Sequence, residues 1–299
     1  MRQGFSFIHL KSHISNLNTN KMSTMTITAA EINKLRQMTG AGMMDCKKAL
    51  TEAGGDFEKA IDELRKKGQK VAANRSDRDA KEGLVVATTT SDNKRGVVLA
   101  VNCETDFVAK NADFGKFVNN VLEIAIAKNP KSADELTALA YDNNITIADK
   151  LIEQTGVIGE KIELKRYEVV EAAKVVAYNH PGNRLATIVG FNTATVPAEV
   201  AKDVAMQVAA MAPVAVDKGD VSTDTLQREI EIGKEQARQE GKAEEMLEKI
   251  AMGKLNKFYK ESTLLNQEFI KDNKKTVAQY LTDAEKGLTV TSFKRIALS

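Results

Sequence analysis

The run Val97-Val98-Leu99-Ala100-Val101-Asn102-Cys103 places apolar side chains on both faces of an extended chain, and it constrains the fold more than any other segment. A strand with that pattern belongs at the centre of a sheet. A β-rich partner, Leu84 to Thr89, precedes it, and the turn-forming string Ser91-Asp92-Asn93-Lys94-Arg95-Gly96 between the two predicts a hairpin. A loop follows, and then a helix carrying Phe114, Phe117, Val118, Val121 and Ile124 at helical spacing.

The same order recurs downstream. Val175 to Tyr178, a turn at Asn179-His180-Pro181-Gly182-Asn183, the run Leu185 to Phe191 and a helix with Val200, Val204, Val208 and Met211 repeat the plan of hairpin and then helix. In detail, Arg95 to Asn102 parallels Arg184 to Asn192 with one extra residue. The repetition predicts an α+β fold with two repeated core subdomains, residues 73–170 with a basic linker and residues 171–299. Between Asp224 and Lys260 the chain is highly charged, with Leu226, Ile230, Met246, Leu247 and Ile250 as sparse apolar anchors around Glu240-Gly241-Lys242. That pattern predicts an antiparallel helical hairpin over 223–262. Sequence of β character returns at Leu288, Val290 and Phe293, so the hairpin reads as an insertion in the second subdomain.

Ahead of these lies a helical module, residues 25–72. Thr28-Ala29-Ala30-Glu31 forms a capping box, with Ile27 and Ile32 at the flanking staple positions, and Leu35 continues the apolar stripe. Thr39-Gly40-Ala41-Gly42 breaks this helix. Met43, Cys46, Ala49, Leu50 and Ala53 mark the inner stripe of a second helix, making Cys46 a small buried hydrophobe, while Met44 falls off the stripe. Gly54-Gly55 ends it and Asp56 caps a third helix, where Phe57, Ala60, Ile61 and Leu64 face inward and Gly68 is the expected stop. Lys66 to Glu82 then reads as a helical extension and linker carrying Lys66, Lys67, Lys70, Arg75 and Arg78. Residues 1–24 form an N-terminal extension in which no acidic residue occurs, a pattern shared with organelle transit peptides. A start assigned too early explains it equally well and is the preferred reading, with the mature chain beginning at or near Met25.

Composition narrows the function. The 299 residues are 42% apolar, enough to bury a substantial core, and no run of about eighteen apolar residues predicts a membrane span. A net charge of +2 and 5% aromatics without Trp argue against direct nucleic-acid binding, by phosphate attraction or by base stacking. Two cysteines make no disulfide framework and no zinc site, which points to a reducing compartment. The chain has no phosphate-binding loop, HExxH, CxxC or dinucleotide fingerprint. Of three histidines, His9 and His13 lie in the extension and His180 in a turn, so no metal site or triad assembles. The expectation is a protein without enzymatic activity, cofactor or metal that works through a partner. The alternative is an adaptor or RNA-binding protein using the first module and the basic linker.

Two strings carry a resemblance. Leu35-Arg36-Gln37-Met38-Thr39-Gly40-Ala41-Gly42-Met43-Met44-Asp45-Cys46-Lys47-Lys48-Ala49-Leu50 and Asn102-Cys103-Glu104-Thr105-Asp106-Phe107-Val108-Ala109-Lys110 closely resemble the two signatures of the elongation factor Ts family. The resemblance extends to Ile158-Gly159-Glu160-Lys161, the His180 turn and the helical hairpin. It implies a ubiquitin-associated-like first module and a core that grips elongation factor Tu at its GTPase domain and its third domain. It further implies that Thr105, Asp106, Phe107 and Val108 dislocate Mg²⁺ from elongation factor Tu, that Met43, Met44, Ile158 and Gly159 contact the partner, and that His180 faces the third domain. A cytoplasmic location goes with this, or an organellar matrix if the extension is a transit peptide. Some members carry a further C-terminal helical module, whereas this sequence stops soon after Phe293-Lys294-Arg295-Ile296.

Overall fold

The computed structural model describes residues 27–142 and 145–298, so the N-terminal extension and the expected start near Met25 lie outside the described residues. Two compact units divide the chain, Met1–Glu63 and Leu64–Ser299, and the border falls inside the third helix.

In the first unit, Thr28 opens α1 (Ala29–Thr39) with the expected capping box: its Oγ1 accepts from the Glu31 amide at 3.2 Å, and Glu31 accepts from the Thr28 amide at 2.7 Å. The helices α2 (Met43–Glu52) and α3 (Phe57–Asn74) follow. Ile32, Leu35, Cys46, Ala49, Leu50 and Ala60 are buried. Met43 departs from the expected inner stripe and is 52% exposed. A helical side chain covers the turn on the N-terminal side of its own Cα, and at the first position of α2 no such turn exists. Gly68 likewise does not stop α3, which runs on to Asn74.

The second unit begins with the rest of α3 and continues with the hairpin strands β1 (Glu82–Thr89) and β2 (Arg95–Cys103). After them come α4 (Asp106–Ala109), α5 (Ala112–Lys128), α6 (Ala133–Ala138), α7 (Ile147–Ile158) and β3 (Glu163–Glu171). A second set comprises β4 (Lys174–Asn179), β5 (Leu185–Phe191) and α8 (Ala198–Met211), then α9 (Thr223–Gln239) and α10 (Glu244–Ser262). The short strands β6 (Glu268–Phe269) and β7 (Asp272–Thr276), the helix α11 (Val277–Ala284) and the strand β8 (Val290–Ala297) complete it. The fold is α+β.

Each three-stranded sheet is antiparallel, with β2 central between β1 and β3, and β5 central between β4 and β8. Every residue of β2 is buried, and its two-residue period decides how. Val97, Leu99, Val101 and Cys103 join the core formed with Phe114, Phe117, Val118 and Val121 of α5. Val98 and Ala100 join Val85, Ala87, Val175, Ala186, Ile188 and Ile296 in a core shared by the two sheets. Val189 and Phe191 of β5 pack with Val204 and Val208 of α8. The layers therefore run helix, sheet, sheet, helix. Arg95, which the sequence places in the turn, opens β2 instead; it is buried and donates to the carbonyls of Ala125, Ile126 and Pro130, which helps satisfy the C-terminal end of α5.

Two pairs of helices approach closely. A Cβ added to Gly156 of α7 would lie 2.5 Å from the Cα of Gly68, so the glycine expected as a stop lets α3 press against α7. The α9–α10 pair is antiparallel, with Gly233 against Ala251 and cross-links from Lys234 to Glu248 at 3.2 Å and from Arg238 to Glu244 at 3.1 Å.

Candidate functional site: the turn after the central strand

At the end of β2 the chain must leave a fully buried strand, and it does so through Glu104 and Thr105 into the single turn of α4. Thr105 is extended, at φ −123° and ψ 155°, and caps α4 with its hydroxyl oxygen 3.5 Å from the Val108 amide. The same hydroxyl donates to Glu160 Oε1 at 2.7 Å. Glu160 Oε2 accepts from the backbone amides of Glu104 at 3.1 Å and Thr105 at 3.0 Å. In return, Glu104 Oε1 accepts from the backbone amide of Lys161 and from the Arg75 guanidinium, both at 2.7 Å. Burial pushes the Glu104 carboxyl upward, but the Lys161 amide and the Arg75 guanidinium outweigh that and hold it below the usual carboxylate range.

The turn is also tied down from beneath. Val108 and Ala109 pack against the core that contains β2 and α5. Phe107 between them and Asp106 faces solvent and is 83% exposed. Asp106 pairs with Lys110 at 2.6 Å, and that hydrogen bond holds its carboxyl below the usual range. Burial, and then the nearby Glu160 and Glu82 carboxylates, push the Cys103 thiol up to about 12, so it stays protonated at neutral pH and is no nucleophile. Glu104 is engaged by the Lys161 amide and Arg75, and Glu160 by two backbone amides and the Thr105 hydroxyl. The chemistry left to this turn is contact: an apolar ring beside a carboxylate, presented on a fixed backbone.

The other candidate residues fall in separate places. Ile158 is partly buried against the same core as Val108, and Gly159 caps α7 at φ 79°, so these two residues lead directly into Glu160. His180 is exposed in the β4–β5 turn, its Nδ1 3.0 Å from the Tyr178 hydroxyl and its amide donating to the Leu185 carbonyl at 2.9 Å. Met43 and Met44 belong to the first unit, where Met44 is 74% exposed and Met38 55%. Sequence reasoning singled out Phe107 but not the residues that hold it, Glu160, Glu104 and Arg75. Both glutamates stand inside the quoted strings, yet a carboxylate bound to backbone reads in sequence like any solvated one.

The family model described as Elongation factor TS matches residues 104–299, and its match begins at Glu104. The chain belongs to the elongation factor Ts family. Elongation factor Ts of Cytophaga hutchinsonii is 55% identical over 276 residues, covering 92% of this chain and 99% of that relative. The protein of the same name from Christiangramia forsetii is 54% identical over 273 residues, covering 91% and 98%. That of Flavobacterium psychrophilum is 54% identical over 274 residues, covering 91% and 99%. Membership of the elongation factor Ts family places the chain in translation elongation. No helix among the described residues is long and apolar enough to cross a membrane.

Proposed function

We propose that this member of the elongation factor Ts family binds elongation factor Tu in its GDP form and speeds the exchange of GDP for GTP by seating Phe107 in the GTPase domain beside the Mg²⁺ and phosphate site. Nucleotide on a GTPase is held by phosphate contacts and by Mg²⁺ bridging phosphate oxygens, so a partner that displaces the metal-binding segment loosens much of that grip. Thr105 and Val108 set the shape of the inserted turn, and Asp106, paired with Lys110, brings a carboxylate to the partner's polar groups. Coupling is reciprocal: the factor weakens nucleotide binding as much as nucleotide weakens the factor's, and excess GTP releases it. No covalent bond is made or broken.

In this reading the helical module contacts the partner through Met43 and Met44, whose flexible thioethers suit an adaptable surface. Ile158 and Gly159 flank the inserted turn, and His180 meets the third domain. The sheets with their helices act as two repeated subdomains, the α9–α10 hairpin is an insertion in the second, and the protein works in the cytoplasm.

One observation carries the proposal: a phenylalanine that is 83% exposed on a turn whose two entry amides, those of Glu104 and Thr105, are both held by Glu160. The test is Phe107→Ala, assayed by stopped-flow release of a fluorescent GDP analogue from elongation factor Tu and by thermal melting. Burying a Phe side chain contributes about 1.5–3 kcal/mol, and about 1.4 kcal/mol is a tenfold effect. Release slower by about tenfold to hundredfold, with an unchanged melting temperature, is expected. Release at the wild-type rate would refute the wedge.

A further inference from the structure

We propose that Glu160 is a positioning residue for nucleotide exchange, which holds Phe107 in the orientation that enters the partner; the proposal rests on the reading of Phe107 as the wedge. A helix of four residues cannot define its own conformation, because helix formation needs more than the one or two hydrogen bonds α4 makes along its length. The direction of Phe107 must come from outside α4. Packing of Val108 and Ala109 supplies attraction to the core, but burial is non-directional. From outside α4 the Cys103 thiol, a weak donor, gives one hydrogen bond to the Thr105 carbonyl at 3.1 Å, and the strong directional contacts are those of Glu160, whose single carboxylate takes two successive backbone amides and the Thr105 hydroxyl.

Glu160 is itself well placed to act as a fixed point. It follows Gly159, the left-handed cap of α7, and α7 is anchored by the buried residues Ile147, Leu151 and Thr155. Glu104 answers with its own carboxylate on the Lys161 amide, so the segments 104–105 and 160–161 clamp each other. Arg75 at 2.7 Å neutralises Glu104 and keeps two nearby carboxylates compatible. An exposed aromatic ring gains by lying down on neighbouring apolar surface, and the clamp holds the backbone against that collapse. Ordering the turn before contact removes a cost that binding would otherwise bear.

The experiment uses the full chain in four forms, Glu160→Ala, Glu160→Gln, Phe107→Ala and the double variant Glu160→Ala/Phe107→Ala, each assayed for release of a fluorescent GDP analogue from elongation factor Tu below its melting temperature. Glu160→Ala should slow release on the order of tenfold, the scale at which a misplaced group loses its effect. Glu160→Gln should restore most of the rate, because the amide oxygen can accept both backbone amides while its NH₂ donates to the Thr105 hydroxyl. The double variant should be no slower than Phe107→Ala, since a residue that acts only through Phe107 has nothing left to place. Wild-type release by Glu160→Ala alongside slow release by Phe107→Ala would overturn the proposal. So would a double variant slowed by the full product of the two single effects. Normal release by Phe107→Ala would sink the wedge reading and the positioning role with it. If Glu160→Ala does not fold, Glu160→Asp replaces it, and a rate equal to that of Glu160→Gln overturns the proposal.

Discussion

Glu104 sits in an environment that its neighbours in sequence do not imply. Its carboxyl is held below the ordinary carboxylate range by the Lys161 amide and Arg75 against the opposing effect of burial. A group whose folded value is depressed stabilises the fold fully above its unfolded value, and that stabilisation is lost as pH falls through the folded one. Denaturant melts between neutral and strongly acid pH should therefore show a steeper acid loss for the wild type than for Glu104→Gln. At neutral pH the substitution should cost about 1.5–3 kcal/mol, the range for a hydrogen bond to a charged group; equal acid limbs would argue against the assignment. Met44 is the opposite case, 74% exposed and with no core to support. Met44→Ala should change stability by no more than about 0.5 kcal/mol. In calorimetry it should lower affinity for elongation factor Tu a few-fold, and unchanged affinity would remove the residue from the contact surface.

Between elements, α3 passes α7 at close range. Glycines at 68 and 156 permit it, and a Cβ at Gly156 would meet backbone, which cannot rotate away. Gly156→Ala should cost about 1–3 kcal/mol from overpacking, seen as a fall in melting temperature of about 2–4 °C for each kcal/mol in a chain of this size. An unchanged melting temperature would mean that α3 and α7 do not approach this closely. Sequence reading expected the helix to end at Gly68 because glycine is the commonest cap residue; nothing local distinguishes a capping glycine from one that admits a neighbouring helix. The capping box at Thr28 and the stripe of α5 were legible for the opposite reason. Their partners lie within one or two turns, so the signal is complete in the local string.

For the whole second unit, the core shared by the two sheets predicts that they lose stability together. Ile188 is fully buried in it, and Ile188→Ala should cost about 2–5 kcal/mol. Hydrogen exchange should then show β2 and β5 losing protection together, whereas loss confined to β5 would indicate independent folding. The sequence alone determined the elements that rest on period: the two-faced apolar run that became β2, the hairpins, the amphipathic helices and the charged pair α9–α10. It also carried the strings that mark the family, with Phe107 among them. Tertiary structure alone decided that the sheets stack face to face, that Arg95 is buried against α5, and that Glu160, 53 positions beyond Phe107 by number, holds the turn that presents it. Burial patterns are local and repeat with the chain's own geometry, so they survive in a string of letters. A carboxylate's choice between water and a distant backbone amide depends on which segments the fold brings together, and no spacing along the chain encodes it.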